Sequence, residues 1–139
     1  IKAAIAAGER ALLLAAEESR AQLTRNAAAW GVDFEEAERK GLLRIICRYP
    51  EAMGLEDHLL QIRREVREFR PRRLAVDSMS AFERGASTKS FREFVIALTG
   101  FIKQQEVTGL FTNTAPMLVG GESITETHIS TITDSIILL

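Results

Sequence analysis

The stretch Ala11-Leu-Leu-Leu-Ala-Ala-Glu17-Glu18-Ser19 sets the reading of this chain. Its apolar residues run without interruption and stop at two adjacent carboxylates. An apolar run of this length predicts a strand covered on both faces, as in a parallel sheet. Similar runs recur at 42–47, 74–76, 110–112 and 135–139. Between them lie stretches with helical spacing. Leu23, Ala27 and Trp30 share one side of 18–30, and Leu55, Leu59, Ile62, Val66 and Phe69 share one side of 55–69. Phe91, Phe94, Val95, Leu98 and Ile102 do the same in 89–105. Strands alternating with helices predict an α/β fold, a mostly parallel, doubly wound sheet flanked by helices. Gly8, Gly31 and Gly41 fall where left-handed caps close helices, and Asp33 is placed to N-cap a short helix over 34–40.

Composition narrows the class. The 139 residues suit one domain, and 46% hydrophobic with 27% charged residues excludes wholesale disorder. Eighteen Lys+Arg against 19 Asp+Glu give a net charge of −1, which argues against a large footprint for nucleic acid or anionic membrane. No apolar run is long enough to cross a bilayer. The lone Cys47 makes no internal disulfide or metal knot and fits a reducing cytoplasm. The ends are abrupt. Residues 1–7 are helical in pattern with no cap before them, and 135–139 is an apolar run that simply stops. Such a chain is expected to be part of something longer, truncated at both ends.

Ligands of such sheets bind beyond the carboxyl ends of the strands, which singles out Glu17-Glu18-Ser19, Arg48-Tyr49-Pro50, Asp77-Ser78 and Asn113-Thr114. Asp77 closes the run Arg73-Leu-Ala-Val, and an acid there either holds Mg²⁺ or caps the next helix. Of the paired glutamates, one suits proton acceptance and the other a metal or an orienting role, unless Glu18 merely sits in a first helical turn. Thr112-Asn113-Thr114 either senses a terminal phosphate and positions water, or caps a turn. Arg63, Arg64, Arg67, Arg70, Arg72 and Arg73 read as a solvated face rather than a nucleic-acid patch, being interleaved with Glu65 and Glu68. Trp30 is either core or a flat face for a base. His128 lacks partners at metal-ligand spacing, and these residues contain no glycine-rich phosphate loop.

Six motifs then occur in order: Glu17-Glu-Ser-Arg-Ala-Gln-Leu23, Trp30-Gly31 with Asp33-Phe-Glu-Glu36, Gly54-Leu-Glu-Asp-His58, Val76-Asp77-Ser78, Gly109-Leu-Phe-Thr-Asn-Thr114 and Ile129-Ser-Thr-Ile-Thr-Asp134. Together they resemble the KaiC family of circadian clock kinases, in the RecA-like ATPase superfamily. The last motif resembles that family's C-terminal, autokinase half. The resemblance implies a RecA-like P-loop NTPase core over 1–139, with the phosphate loop expected upstream and a basic trans-acting segment expected downstream. It implies an ATP-dependent serine/threonine autokinase with ATPase and autodephosphorylation activity, ATP and Mg²⁺ as cofactors, and a hexameric ring. Partners of the KaiA and KaiB type follow from it, while nucleic acid and membrane do not.

Carried over residue by residue, Glu17 matches the proton acceptor and Glu18 its catalytic companion. Asp77, with Glu17, falls at the Mg²⁺ position, and Trp30 matches an aromatic lining the adenine site. Ser130 and Thr131 match adjacent phosphoacceptors. Thr125 and Glu126 match neighbours that influence phosphate stability, with Glu126 in place of the commoner aspartate. Arg84 matches a basic residue that meets phosphate across the subunit boundary. Without the upstream loop, these residues alone are expected to bind and hydrolyse ATP poorly. Two other readings of the residues are a RecA-like ring ATPase in signalling or DNA transactions, without autophosphorylation, and a non-catalytic interaction domain.

Overall fold

The computed structural model describes residues 1–114, 133–135 and 137. Four strands, β1 (Ala11–Ala15), β2 (Leu43–Cys47), β3 (Arg73–Asp77) and β4 (Thr108–Phe111), form one sheet in the order β2-β1-β3-β4. Each pairing is parallel. Among the described residues six α-helices, with one 3-10 turn at Pro50–Ala52, complete the order: α1 (Lys2–Ala6), α2 (Arg20–Ala29), α3 (Phe34–Arg39), α4 (Leu55–Phe69), α5 (Met79–Arg84) and α6 (Thr88–Gln104).

The side-chain alternation of β1 explains its unbroken apolar run. Leu12 and Leu14 face a core built with Ile62 and Val66 of α4, Phe82 of α5 and Phe91, Phe94 and Leu98 of α6. Ala11, Leu13 and Ala15 face the opposite core, built with Ala4 of α1, Leu23 and Ala27 of α2, and Phe34 and Ala37 of α3. Every residue of β1 is buried, as expected of a central strand with helices on both faces. The chain leaves β1 for α2 on one face and leaves β3 for α5 on the other. Adjacent strands whose helices depart to opposite faces open a crevice at their carboxyl ends. Among the described residues no helix is long and apolar enough to cross a membrane.

Several local expectations hold. Asp33 accepts from Glu36 N–H at 2.9 Å as the N-cap of α3. Gly31 and Gly41 adopt φ of 70° and 69° just beyond α2 and α3, the left-handed turn that glycine makes at least cost. Others shift. Helix α2 begins only after Ser19, whose hydroxyl accepts from Gln22 N–H, so 18–19 precede it. Trp30 is the residue after that helix and is 77% exposed, so it does not share the buried side of Leu23 and Ala27. The fourth strand spans Thr108–Phe111 rather than 110–112, because its ladder to β3 starts where Arg73 pairs with Thr108. Helix α5 carries no periodic signal: Met79, Ser80, Ala81 and Phe82 are buried in succession. The run expected at 135–139 lies largely outside the described residues.

Leu74 is fully buried between the sheet and α4–α6, so Leu74→Ala should cost about 2–5 kcal/mol in denaturant unfolding. At Gly109 an added Cβ would lie 2.9 Å from the Phe111 ring. The atoms met are the tip of a half-buried ring at an exposed strand position, so the ring can swing aside and Gly109→Ala should shift stability by less than about 1 kcal/mol; a larger loss would show that the Phe111 ring is held in place.

Candidate active site at the carboxyl edge of the sheet

Register brings the acids together. Ala15 pairs with Asp77 across β1 and β3, and Ala16 N–H donates to the Asp77 carbonyl at 2.8 Å. Glu17 therefore emerges beside Asp77 and Ser78 at the crevice. Its carboxylate is occupied at both oxygens. Ser78 Oγ donates to Oε2 at 3.1 Å, and Arg84, at the end of α5, donates to Oε1. The Arg84 hydrogen bond, with the Ser78 bond behind it, holds the Glu17 carboxyl below the usual range, against a weaker desolvation effect.

Asp77 is oriented from the other side. Thr112 Oγ1 donates to its Oδ1 at 2.5 Å, while Thr112 N–H donates to the Val76 carbonyl and the Thr112 carbonyl accepts from Met79 N–H. The Asp77–Ser78 peptide is cis. Asp77 caps no helix here: the N-cap of α5 is Ser78. Glu18 likewise does not lie in the first turn of α2, and it accepts from Asn26 Nδ2 at 3.4 Å. The capping explanations for both acids therefore fail on geometry.

The remaining candidates are dispersed. Trp30 stands beyond the far end of α2, roughly 16 Å along the helix from Ser19 at 1.5 Å per residue, and its carbonyl accepts from Lys2 Nζ. Arg84 is engaged with Glu17 of its own chain. Ser130, Thr131, Thr125 and Glu126, like His128, lie outside the described residues. The arginine-rich stretch is largely committed internally: Arg64 pairs with Glu68, Arg73 with Glu9, and Arg63 and Arg67 lie over the Phe101 ring. Cys47 is exposed as a residue, and partial desolvation of its thiol is the main cause pushing its pKa up, which disfavours the reactive thiolate.

Oxygen donors at this edge suit a hard cation. Mg²⁺ is commonly held by one or two carboxylates plus substrate phosphates rather than by a protein cage. That fits the described residues, where no group of three or more His, Cys, Asp and Glu gathers as a metal site. Asp77 Oδ2 has no partner among them, whereas both Glu17 oxygens are taken. Sequence reasoning missed Ser78 and Thr112 as the groups that aim these acids. The only available signal was a hydroxyl residue immediately after, or level with, each strand end.

A parallel sheet flanked by helices, with acids ending two adjacent strands at the crevice, is the core of a RecA-like ATPase. The family model described as "ATPase: KaiC" matches residues 1–139, and the chain belongs to the KaiC ATPase family. It is 65% identical over 132 residues to the circadian clock oscillator protein KaiC of Thermostichus vulcanus, covering 95% of this chain and 26% of that protein. It is 62% identical over 135 residues to the circadian clock protein KaiC3 of Synechocystis sp., covering 97% and 27%. Against the circadian clock oscillator protein KaiC of Synechococcus elongatus the identity is 60% over 139 residues, covering 100% and 27%. The chain thus spans about a quarter of the length of these relatives, at 26–27%.

Because Glu17 is held ionised by Arg84, the pair persists above the lowered Glu17 pKa and breaks as pH falls through it. Carboxyl-carbon NMR should find the Glu17 midpoint below that of an ordinary glutamate. Arg84→Ala should move it upward, and an unmoved midpoint would show that Arg84 is not the cause.

Proposed function

We propose that this chain carries the catalytic edge of an ATP-dependent serine/threonine autokinase of the KaiC clock type, which also hydrolyses ATP and removes its own phosphate. The observation that carries this reading is the placing of Glu17, two residues past the Ala15–Asp77 pair, beside Asp77-Ser78, with each acid aimed by a hydroxyl, in a chain of the KaiC ATPase family. When bound, Mg·ATP supplies the phosphoryl group and the metal charge that stabilises its transfer. Asp77, whose Oδ2 is open among the described residues, would hold the metal, with Glu17 joining it once Arg84 or Ser78 gives up an oxygen, and the exposed Trp30 would offer an aromatic face to the adenine.

Ser130 and Thr131 are the acceptors, presented by one subunit of a hexameric ring to the edge of its neighbour. Glu17 takes the proton from the attacking hydroxyl, with Glu18 as its companion. Efficient general bases have a pKa near the working pH, and the Arg84 bond holds Glu17 below that. Ser78 and Arg84 engage both Glu17 oxygens, so an attacking hydroxyl gains Oε1 when Arg84 turns to a phosphate arriving across the subunit boundary. Thr125 and Glu126 lie close in sequence to the acceptors and tune how long phosphate remains there. A phosphate on Ser130 or Thr131 adds about −1.5 to −2 charge near a subunit contact, a change that ring packing and partners of the KaiA and KaiB type can read. The compartment proposed is the cytoplasm.

The full-length protein incubated with γ-phosphate-labelled ATP should label Ser130 and Thr131, and Ser130→Ala with Thr131→Ala should abolish the label. Glu17→Gln should slow labelling by about a hundredfold. Hydrolysis without label would favour a ring ATPase lacking autophosphorylation. Neither hydrolysis nor label would leave an interaction domain.

A further inference from the structure

One ion pair far from the acids is not used by the chemistry above. The chain is described again at 133–135, and there Asp134 Oδ1 accepts from Lys103 Nζ of α6 at 2.8 Å. Lys103 lies in the last turn of α6. A helix presents its negative pole at that end, so a carboxylate is repelled there unless a cation holds it. Both side chains stay more than half exposed, at 54% and 84%. Asp134 follows Thr131 by three residues and Ser130 by four, and such lengths of chain span at most about 11 and 14 Å. Just past Lys103, Val107 N–H donates to the Ile102 carbonyl at 3.1 Å, and Thr108 opens β4 opposite Arg73. The anchor therefore sits at the amino end of the sheet. Asp77 lies four residues further along β3, about 13 Å away at 3.3 Å per residue.

We propose that Lys103 and Asp134 are positioning residues, whose ion pair ties the acceptor stretch to α6 of its own subunit and so sets how often Ser130 and Thr131 are offered to a neighbouring edge. This rests on the reading of those two hydroxyls as phosphoacceptors in a ring. A tether of three or four residues confines the hydroxyls to a small volume and raises their local concentration. It is anchored at the end of the sheet opposite this chain's own acids, which favours delivery to another subunit. An exposed pair is weak and breaks readily, so it biases the segment without locking it.

The test uses the full-length protein in mixed rings supplied with γ-phosphate-labelled ATP. Donor subunits carry Ser130→Ala with Thr131→Ala, and acceptor subunits carry Glu17→Gln, so that label collects on the acceptors. Lys103→Gln in the acceptor subunits should slow initial labelling by about two- to fivefold, the scale of one exposed ion pair. The same substitution in the donor subunits should leave the rate unchanged. Uniform Lys103→Gln rings should hydrolyse ATP as the wild type does. Asp134→Asn in the acceptors should match Lys103→Gln, and the two together should lose nothing further. Lys103→Glu with Asp134→Lys restores a pair of exchanged sign, and it should recover most of the rate that Lys103→Glu alone loses.

Equal slowing from donor and acceptor subunits, additive losses, or no recovery with the exchanged pair would overturn the proposal. Wild-type rings that take no label at Ser130 or Thr131 would remove both the proposal and the reading beneath it. Labelling of the wild type that Lys103→Gln leaves unchanged would remove the proposal alone.

Discussion

The backbone ladder between β1 and β3 pairs Ala15 with Asp77, and Ala16 N–H donates to the Asp77 carbonyl beyond it. The same ladder sets Leu12 and Leu14 beside Leu74 and Val76 in one core, while Leu13 and Ala15 serve the other. Side chains alternate along a strand, so a slip of one residue would send each set to the wrong face. The leucines thus fix the register, and the register fixes the acids. Two carboxylates at neighbouring strand ends repel, and here each is stabilised by its own donors: Arg84 and Ser78 for Glu17, Thr112 for Asp77. The short helix α5 links these groups, since Arg84 at its end reaches Glu17 while Ser80 near its start binds Asn113 and Thr114.

Much of this fold was legible because its strands are covered on both faces. The run at 11–16 and the helical spacing of Leu55, Ile62, Val66 and Phe69 both report burial directly, and α4 has the bounds expected of it. Helix α5 was not legible, because four consecutive buried residues erase the period that marks an amphipathic helix. Trp30 misled for a related reason. Its spacing from Leu23 and Ala27 matches a helical face, but the helix stops one residue earlier and Gly31 turns the chain away.

At the site, the acids could be found from sequence and their partners could not. Glu17 and Asp77 announce themselves by ending apolar runs, whereas Ser78 and Thr112 matter only through contacts made across the sheet edge. Arg84 illustrates the gap best. Family resemblance assigns it to a neighbouring subunit's phosphate, yet its partner within this chain is Glu17, the proposed proton acceptor. On the proposed reading both contacts would draw on one guanidinium, and an exchange between them would link phosphate arrival to release of the base.

The most direct measurement is a crystal structure of the full-length protein grown with Mn²⁺ and a non-hydrolysable ATP, with the metal located by its anomalous scattering. A phosphoryl-transfer site at this edge requires the manganese peak beside Asp77, with the terminal phosphate facing Glu17. A metal and triphosphate bound away from the carboxyl ends of β1 and β3 would contradict it.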